Sequence, residues 1–161
     1  MRPALIALSL LVISAPVAAR DSLGVFGEWA AFRDPEVPRC YAIAAMQRGS
    51  NAAATGYASV AIWPRRSVRG QVHFHLSRTL ASNGIVTLTV GRQSFTLVGG
   101  GNNAWAKDAA MDAAIVSAMR SAAAMQVRAR SADGRRFTDR YDLSGVATAL
   151  DAATVGCARA A

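Results

Sequence analysis

Alternation of apolar and polar residues runs through most of the chain after its first twenty positions. The clearest case is residues 72–77, where Val72, Phe74 and Leu76 alternate with histidine and serine. A period of two is typical of a strand with one buried face. The same alternation, or a short run rich in β-branched and aromatic residues, predicts further strands at 26–32, 40–45, 57–63, 85–90, 94–98, 125–130 and 135–143.

Residues that favour turns separate these predicted strands. Pro35 and Pro38 break the first strand from the second, because proline cannot donate to a central ladder. Small polar residues predict a loop at 49–56, and Ser82-Asn83-Gly84 predicts a turn. Three consecutive glycines predict a mobile loop at 99–103. We interpret it as a turn and not as a phosphate loop, because no Gly-Lys-Ser/Thr follows.

The period changes to that of a helix in two places. Residues 108–121 place apolar side chains at helical spacing behind Asp108, which suits a helix N-cap. A second helix is predicted from about Ser144 to about Gly156, with Cys157 just beyond its end. The sequence therefore predicts a mostly β domain, an antiparallel β-sandwich-like fold with two short helices in its C-terminal half.

The first nineteen residues have the pattern of a secretory signal peptide. Arg2 gives a positive start, an apolar run follows, and small residues precede a cleavage point after Ala19. We expect residues 1–19 to be removed and residues 20–161 to form a single exported domain, periplasmic or associated with the outer membrane. No later stretch approaches the roughly 20 apolar residues of a transmembrane helix. The mature chain is therefore predicted to have no transmembrane segment, and peripheral membrane association remains open.

The chain is strongly basic. Its formal net charge is +8, and Lys107 is its only lysine. The leader contributes one of these charges, which leaves +7 on residues 20–161. A GC-rich coding sequence accounts for the preference for arginine, but the charge still attracts the protein to anionic envelope surfaces. An exported protein seldom meets nucleic acid, so we predict no nucleic-acid partner.

Cys40 and Cys157 are the only two cysteines, one near each end of the exported part. An even cysteine count in an exported protein favours a disulfide. A metal site would need more ligands, and a reactive thiol would need a depressed pKa.

The last predicted hairpin carries the candidate functional residues. A three-residue loop ending in a left-handed Gly134 would place Arg130 opposite Arg136 and gather apolar residues on the other face. Facing arginines are unfavourable without an anion nearby, and Asp142 on the same face is one source of negative charge. The alternatives are a solvated surface and a candidate anion-binding site of four residues: Arg128, Arg130, Arg136 and Arg140.

Other clusters carry weaker chemistry. His73 and His75 have the spacing of paired metal ligands, but no third histidine exists and the surrounding segment has no acid, so we predict two surface histidines. Arg65, Arg66 and Arg69 form a second basic turn beside Trp63. No nucleophile elbow, zinc-protease motif or carboxylate pair stands out, so we predict no catalytic residues, no cofactor and no metal, and consider an enzyme the least supported class.

Short motifs are spread over most of the exported part: Gly27-Glu-Trp29, Cys40-Tyr41-Ala42, Phe95-Thr-Leu97, Ala104-Trp105, Asp112-Ala-Ala-Ile115-Val-Ser-Ala-Met119, Met125-Gln-Val, Ser131 with Gly134, and Asp139-Arg-Tyr141-Asp-Leu143-Ser-Gly145-Val-Ala-Thr-Ala149. With these motifs the chain resembles the invasion-associated locus B family of alphaproteobacterial proteins. The resemblance implies a β-sandwich-like envelope protein with no attached enzymatic activity. Members often have further central cysteines, which this chain lacks.

Two functions follow as expectations. The first is a non-catalytic envelope protein that acts by contact with another envelope or host-surface component. The second is a basic module that binds an anionic glycolipid or polysaccharide through the arginine-rich hairpin face. Salt distinguishes them, because screening weakens polyanion binding more than a packed protein interface.

Overall fold

The computed structural model describes residues 20–48 and 55–158. The predicted leader and most of the predicted loop at 49–56 lie outside the described residues. Ten strands make up the sheet: β1 Asp21–Phe26, β2 Trp29–Asp34, β3 Arg39–Ala45, β4 Tyr57–Trp63, β5 Val68–His75, β6 Val86–Val90, β7 Gln93–Gly100, β8 Asn103–Trp105, β9 Ala124–Arg130 and β10 Arg136–Asp142. Two helices, α1 Ala109–Met119 and α2 Val146–Ala158, lie in the C-terminal half.

The strands form one antiparallel sheet in the order β1-β2-β3-β4-β5-β8-β7-β6-β9-β10. The inner faces of its two halves share one core, since Phe74 on β5 lies 5.8 Å from Tyr141 on β10 between ring centroids. Trp29 on β2 is fully buried, and its indole Nε1 donates to the Asp142 carbonyl 2.9 Å away. The predicted fold class is therefore confirmed.

The first predicted strand is wrong in its extent. The chain turns at Gly27 and Glu28, so residues 26–32 belong to two paired strands and not to one. Gly27 has a left-handed φ of 57°, and the amide of Glu28 donates to the Ser144 carbonyl 3.1 Å away. The apolar residues on each side of the turn face the same core. The alternation therefore continues through the turn, and the sequence pattern does not indicate where the first strand ends.

The predicted mobile loop at 99–103 is also wrong. β7 continues through Gly100 and β8 begins at Asn103, which leaves a two-residue turn. A Cβ atom at position 99 would lie 2.6 Å from Leu80 Cδ1 and 2.8 Å from Val86 Cγ2. Gly99 is therefore a strand residue. Leu80 and Val86 pack so close to its backbone that a larger residue would not fit.

Helix α1 begins as the sequence predicts. The Asp108 carboxylate accepts a hydrogen bond from the Met111 amide at 2.8 Å, so Asp108 is the N-cap. Asp112, one turn later, accepts from the Val72 amide of β5 at 2.8 Å. This bond fixes α1 against the sheet, and burial of the carboxyl raises the pKa of Asp112.

We expect substitutions of Asp112 to separate its hydrogen bond from its charge. Asp112→Ala leaves the Val72 amide unpaired, and we expect it to lower the free energy of unfolding by about 1–3 kcal/mol. Because the folded-state pKa is raised, ionised Asp112 costs stability at neutral pH, and protonation removes this cost as the pH falls. The stability of the wild type relative to Asp112→Asn should therefore increase from neutral to acidic pH in denaturant titrations. A difference that stays constant with pH would contradict this assignment.

Helix α2 extends further than predicted. It continues to Ala158, so Cys157 lies in its last turn and not beyond it. Gly156 does not end the helix; its role is steric, because a Cβ atom there would lie 2.5 Å from Leu23 Cδ1. Cys157 is bonded to Cys40 of β3, with 5.7 Å between their Cα atoms. The predicted disulfide is confirmed.

Candidate functional site

The β9–β10 hairpin has the predicted register. Arg130 pairs with Arg136 across the ladder, and Phe137 pairs with Ala129. Gly134 has the left-handed conformation that the predicted three-residue loop requires, with φ of 81°. Strict alternation then separates the two faces, because residues opposite each other on paired strands point to the same side.

The outer face of this hairpin presents four exposed arginines, which we call the arginine face: Arg128, Arg130, Arg136 and Arg140. None of them forms an ion pair within the part of the chain that the structure describes. Arg130 Nη1 donates to the Gly134 carbonyl at 2.8 Å, which holds one guanidinium near the turn. Asp142 shares the face, but its carboxylate accepts from the Ser144 amide at 2.7 Å and makes no ion pair with a described arginine.

The neighbouring strand adds no acidic residue to this surface. Thr87 of β6 pairs with Arg128, and Thr89 pairs with Gln126, so the outer face continues as neutral polar side chains. A shallow groove of about 720 Å³ lies between the hairpin and the loop at 81–85. Arg128, Arg130 and Arg136 line it together with Ile85, whose side chain is 73% exposed. The groove thus combines cationic donors with apolar contacts from Ile85 and Phe137.

The inner face of the same hairpin contains a buried carboxylate that sequence reasoning missed. Asp139 is 2% exposed and accepts from the Ser77 amide at 2.9 Å and from the Ser77 hydroxyl at 2.5 Å. Burial, and secondarily the charge of Asp139, raises the pKa of Tyr141 well above its usual range. The alternation that places Phe137 and Tyr141 inward also places Asp139 inward, so the signal was present. These contacts anchor the hairpin to the segment after β5.

His73 and His75 lie half-buried on the outer face of β5. His73 Nε2 and His75 Nδ1 both contact Oδ1 of Asn103, at 2.9 Å and 3.3 Å. The His73 ring stacks on Trp105, with 5.3 Å between centroids. Burial lowers the pKa of His73, the Asn103 hydrogen bond raises it, and His75 lowers it again. The described ranges contain no group of three His, Cys, Asp or Glu side chains placed to hold a metal ion.

The second basic turn lies on the other half of the sheet. Pro64–Arg66 form a single turn of 3-10 helix between β4 and β5. The guanidinium of Arg66 lies 5.0 Å from the centre of the Trp63 ring, and Arg39 lies 5.4 Å from it. The turn is therefore a separate basic surface, and the structure does not bring it together with the arginine face.

The described structure defines an antiparallel β domain with a cationic outer hairpin, and none of its helices has the length and apolar character to cross a bilayer. The family model for the "Invasion associated locus B (IalB) protein" matches residues 31–154, more than half of the chain. The chain therefore belongs to the IalB family, as its motifs predict.

A solved structure supports the same fold. The crystal structure of invasion associated protein B from Bartonella henselae superimposes with a TM-score of 0.62 at 14% identity. The match covers 86% of this chain and 97% of the Bartonella chain. A search of curated proteins finds no match.

Proposed function

We propose that this IalB-family protein is an exported, non-catalytic envelope component that binds an anionic glycolipid or polysaccharide through the arginine face. The observation that carries the proposal is the set of four exposed arginines on one hairpin surface, without an ion pair among the described residues. Guanidinium groups bind phosphate and carboxylate groups by paired hydrogen bonds. An anion bridging Arg130 and Arg136 would relieve the repulsion between these cross-strand neighbours.

Rigidity favours this surface over a flexible basic tail. The hairpin is anchored on its inner face by Phe137, Tyr141 and the Asp139–Ser77 hydrogen bonds. The arginine backbones are therefore fixed before a ligand arrives, which reduces the entropy lost on binding. Binding still orders the arginine side chains at a cost in entropy, and the attraction of the anionic ligand offsets this cost.

Contact with a protein partner is the second candidate. Ile85 is 73% exposed at the edge of the groove and Val98 is 54% exposed on β7. Exposed apolar residues beside arginines are typical of protein interfaces. Such a partner would be another envelope or host-surface protein.

Co-sedimentation with envelope vesicles tests the proposal. Residues 20–161 are mixed with vesicles from the source organism, and the salt concentration is raised from low to physiological and beyond. We expect pelleting to fade steeply with salt, because exposed charges are screened beyond about 8–10 Å at physiological ionic strength. Purified envelope lipid and purified envelope polysaccharide, tested separately, identify which polymer is bound. Pelleting that persists at high salt favours the protein partner, and no pelleting contradicts both.

A further inference from the structure

A second concave surface lies on the half of the sheet away from the arginine face. It is a cleft of about 460 Å³ between α1 and α2, with β4 and β5 as its floor. This volume lies within the range of small-ligand sites, about 300–1,000 Å³. Its apolar lining comes from four elements and includes Val60, Ile62, Val68, Val116, Leu150 and the disulfide residue Cys157.

The mouth of the cleft is basic. Arg69 and Arg120 both line it, and the 3-10 turn that carries Arg65 and Arg66 borders it. Arg120 is paired with Asp151 of α2, at 2.7 Å between Nη2 and Oδ1. Arg69 is exposed and has no ion pair in the described structure. The cleft therefore combines an apolar interior with an excess of positive charge at its entrance.

A β-bulge turns Arg69 towards this cleft. Along β5, Val72 pairs with Val60 and Gln71 pairs with Ala61, but the next pair is Arg69 with Ile62, because Gly70 is left out of the ladder. Without the extra residue, Arg69 would lie on the same face as Gln71, which is the outer face of the sheet. The bulge instead places Arg69 on the face of Ile62, which lines the cleft. Bulges commonly redirect a side chain at functional sites.

Gly70 also keeps the floor of the cleft open. Its φ of 94° is a conformation that side-chain-bearing residues rarely adopt. A Cβ atom there would have only Val116 and Val60 within 4 Å, at 3.6 Å and 4.0 Å. Because Gly70 has no side chain, the space between α1 and the floor of the cleft stays open at this position.

We infer that this cleft is a binding site for a single-chain anionic amphiphile, such as a fatty acid. The alkyl chain lies between α1 and α2 on the apolar floor, and the carboxylate or phosphate head accepts hydrogen bonds from Arg69. The chemistry differs from that of the arginine face, because in the described structure the cleft has one unpaired arginine beside an apolar floor, whereas the hairpin presents four exposed arginines together. The inference is independent of the proposed function, because the two surfaces lie on different halves of the sheet and are tested with different ligands.

Titration calorimetry with dodecanoate, below its micelle concentration, tests the site. We expect saturable binding of one dodecanoate per chain, and much weaker binding of dodecyltrimethylammonium, which has the same alkyl chain with a positive head. Arg69→Gln should weaken dodecanoate binding by about fivefold, the loss expected for an exposed charge contact. Arg92→Gln, in the β6–β7 turn, removes the same charge outside the cleft and should leave binding unchanged.

Val116→Trp tests the apolar part of the site. The indole would fill the space between α1 and the floor, so we expect dodecanoate binding to be lost in a variant that retains the wild-type melting temperature. Thr154→Trp fills the same space from α2, the opposite wall of the cleft. It replaces Val116→Trp as the test if that variant does not fold. Amide chemical shifts of the wild type supply a third measurement, with the largest changes expected at 62–70, 116–120 and 150–158.

Three results would overturn the inference. The first is the absence of saturable dodecanoate binding to the wild type. The second is equal binding of the cationic amphiphile, and the third is unchanged dodecanoate binding in a folded tryptophan variant. If the wild type binds dodecanoate but does not pellet with envelope vesicles, the proposed function is refuted and this inference is not.

Discussion

Charge reversal at Arg130 and Arg136 should weaken salt-sensitive binding to envelope vesicles on the order of a hundredfold. The two residues face each other across the hairpin, and each is exposed. An exposed charge contact contributes up to about 1 kcal/mol, and a glutamate replaces this attraction with repulsion. A change of about 1.4 kcal/mol at each of the two positions corresponds to roughly two powers of ten in affinity. Arg130→Glu/Arg136→Glu is measured by co-sedimentation over the same salt series as the wild type.

The matched control is Arg92→Glu/Lys107→Glu. It changes the net charge by the same amount, and both residues are exposed and lie outside the arginine face. If binding depended only on total charge, the two double variants would lose affinity equally. We expect the control to retain most of its binding and the arginine-face variant to lose its salt dependence as well as its affinity. Equal losses in both variants would refute a localised site.

Removal of the disulfide should have the largest effect on stability. Cys40 and Cys157 are separated by 117 positions, and both are buried. A cross-link over a loop of this length stabilises the fold by about 4–5 kcal/mol on the chain-entropy model. Because a whole domain is stable by only about 5–15 kcal/mol, we expect Cys40→Ala/Cys157→Ala to be close to the threshold of unfolding at 37 °C.

Denaturant titration of the oxidised and reduced proteins checks this prediction. The reduced wild type is the matched control, since it lacks the bond but keeps both cysteine side chains. We expect it to unfold near the midpoint of the double alanine variant, and dithiothreitol should not affect that variant. A reduced protein within about 1 kcal/mol of the oxidised one would show that the chain-entropy model overestimates the contribution of this bond.

Local signals predicted the geometry of the last hairpin well. The alternation along the last hairpin and a glycine suited to a left-handed turn were enough to give the register and the two faces, including the pairing of Arg130 with Arg136. The hairpin is formed by residues close in sequence, so its geometry depends on little else. The same alternation also places Asp139 on the inner face, but no local pattern indicates its hydrogen bonds to Ser77.

Predictions failed where distant segments determine the local conformation. The chain turns at Gly27 because the Ser144 carbonyl, more than a hundred positions away in sequence, accepts a hydrogen bond from the Glu28 amide. Gly99 remains in a strand because Leu80 and Val86 pack against it. In both cases the neighbouring residues in sequence predict the wrong conformation for the glycine, because contacts with residues from other parts of the chain determine it.

The sequence by itself determined the β-rich class, the cap of α1, the disulfide partners and the arginine face, because each depends on short-range periodicity, a turn motif or a simple count. Only the tertiary structure decided that ten strands form one continuous sheet and that α1 and α2 leave a cleft between them. It also decided that Arg69 lines this cleft, because a bulge in β5 changes the face on which the residue lies. Pairing between distant strands and the packing of helices on the sheet are set by the whole core, and no local pattern in the chain encodes them.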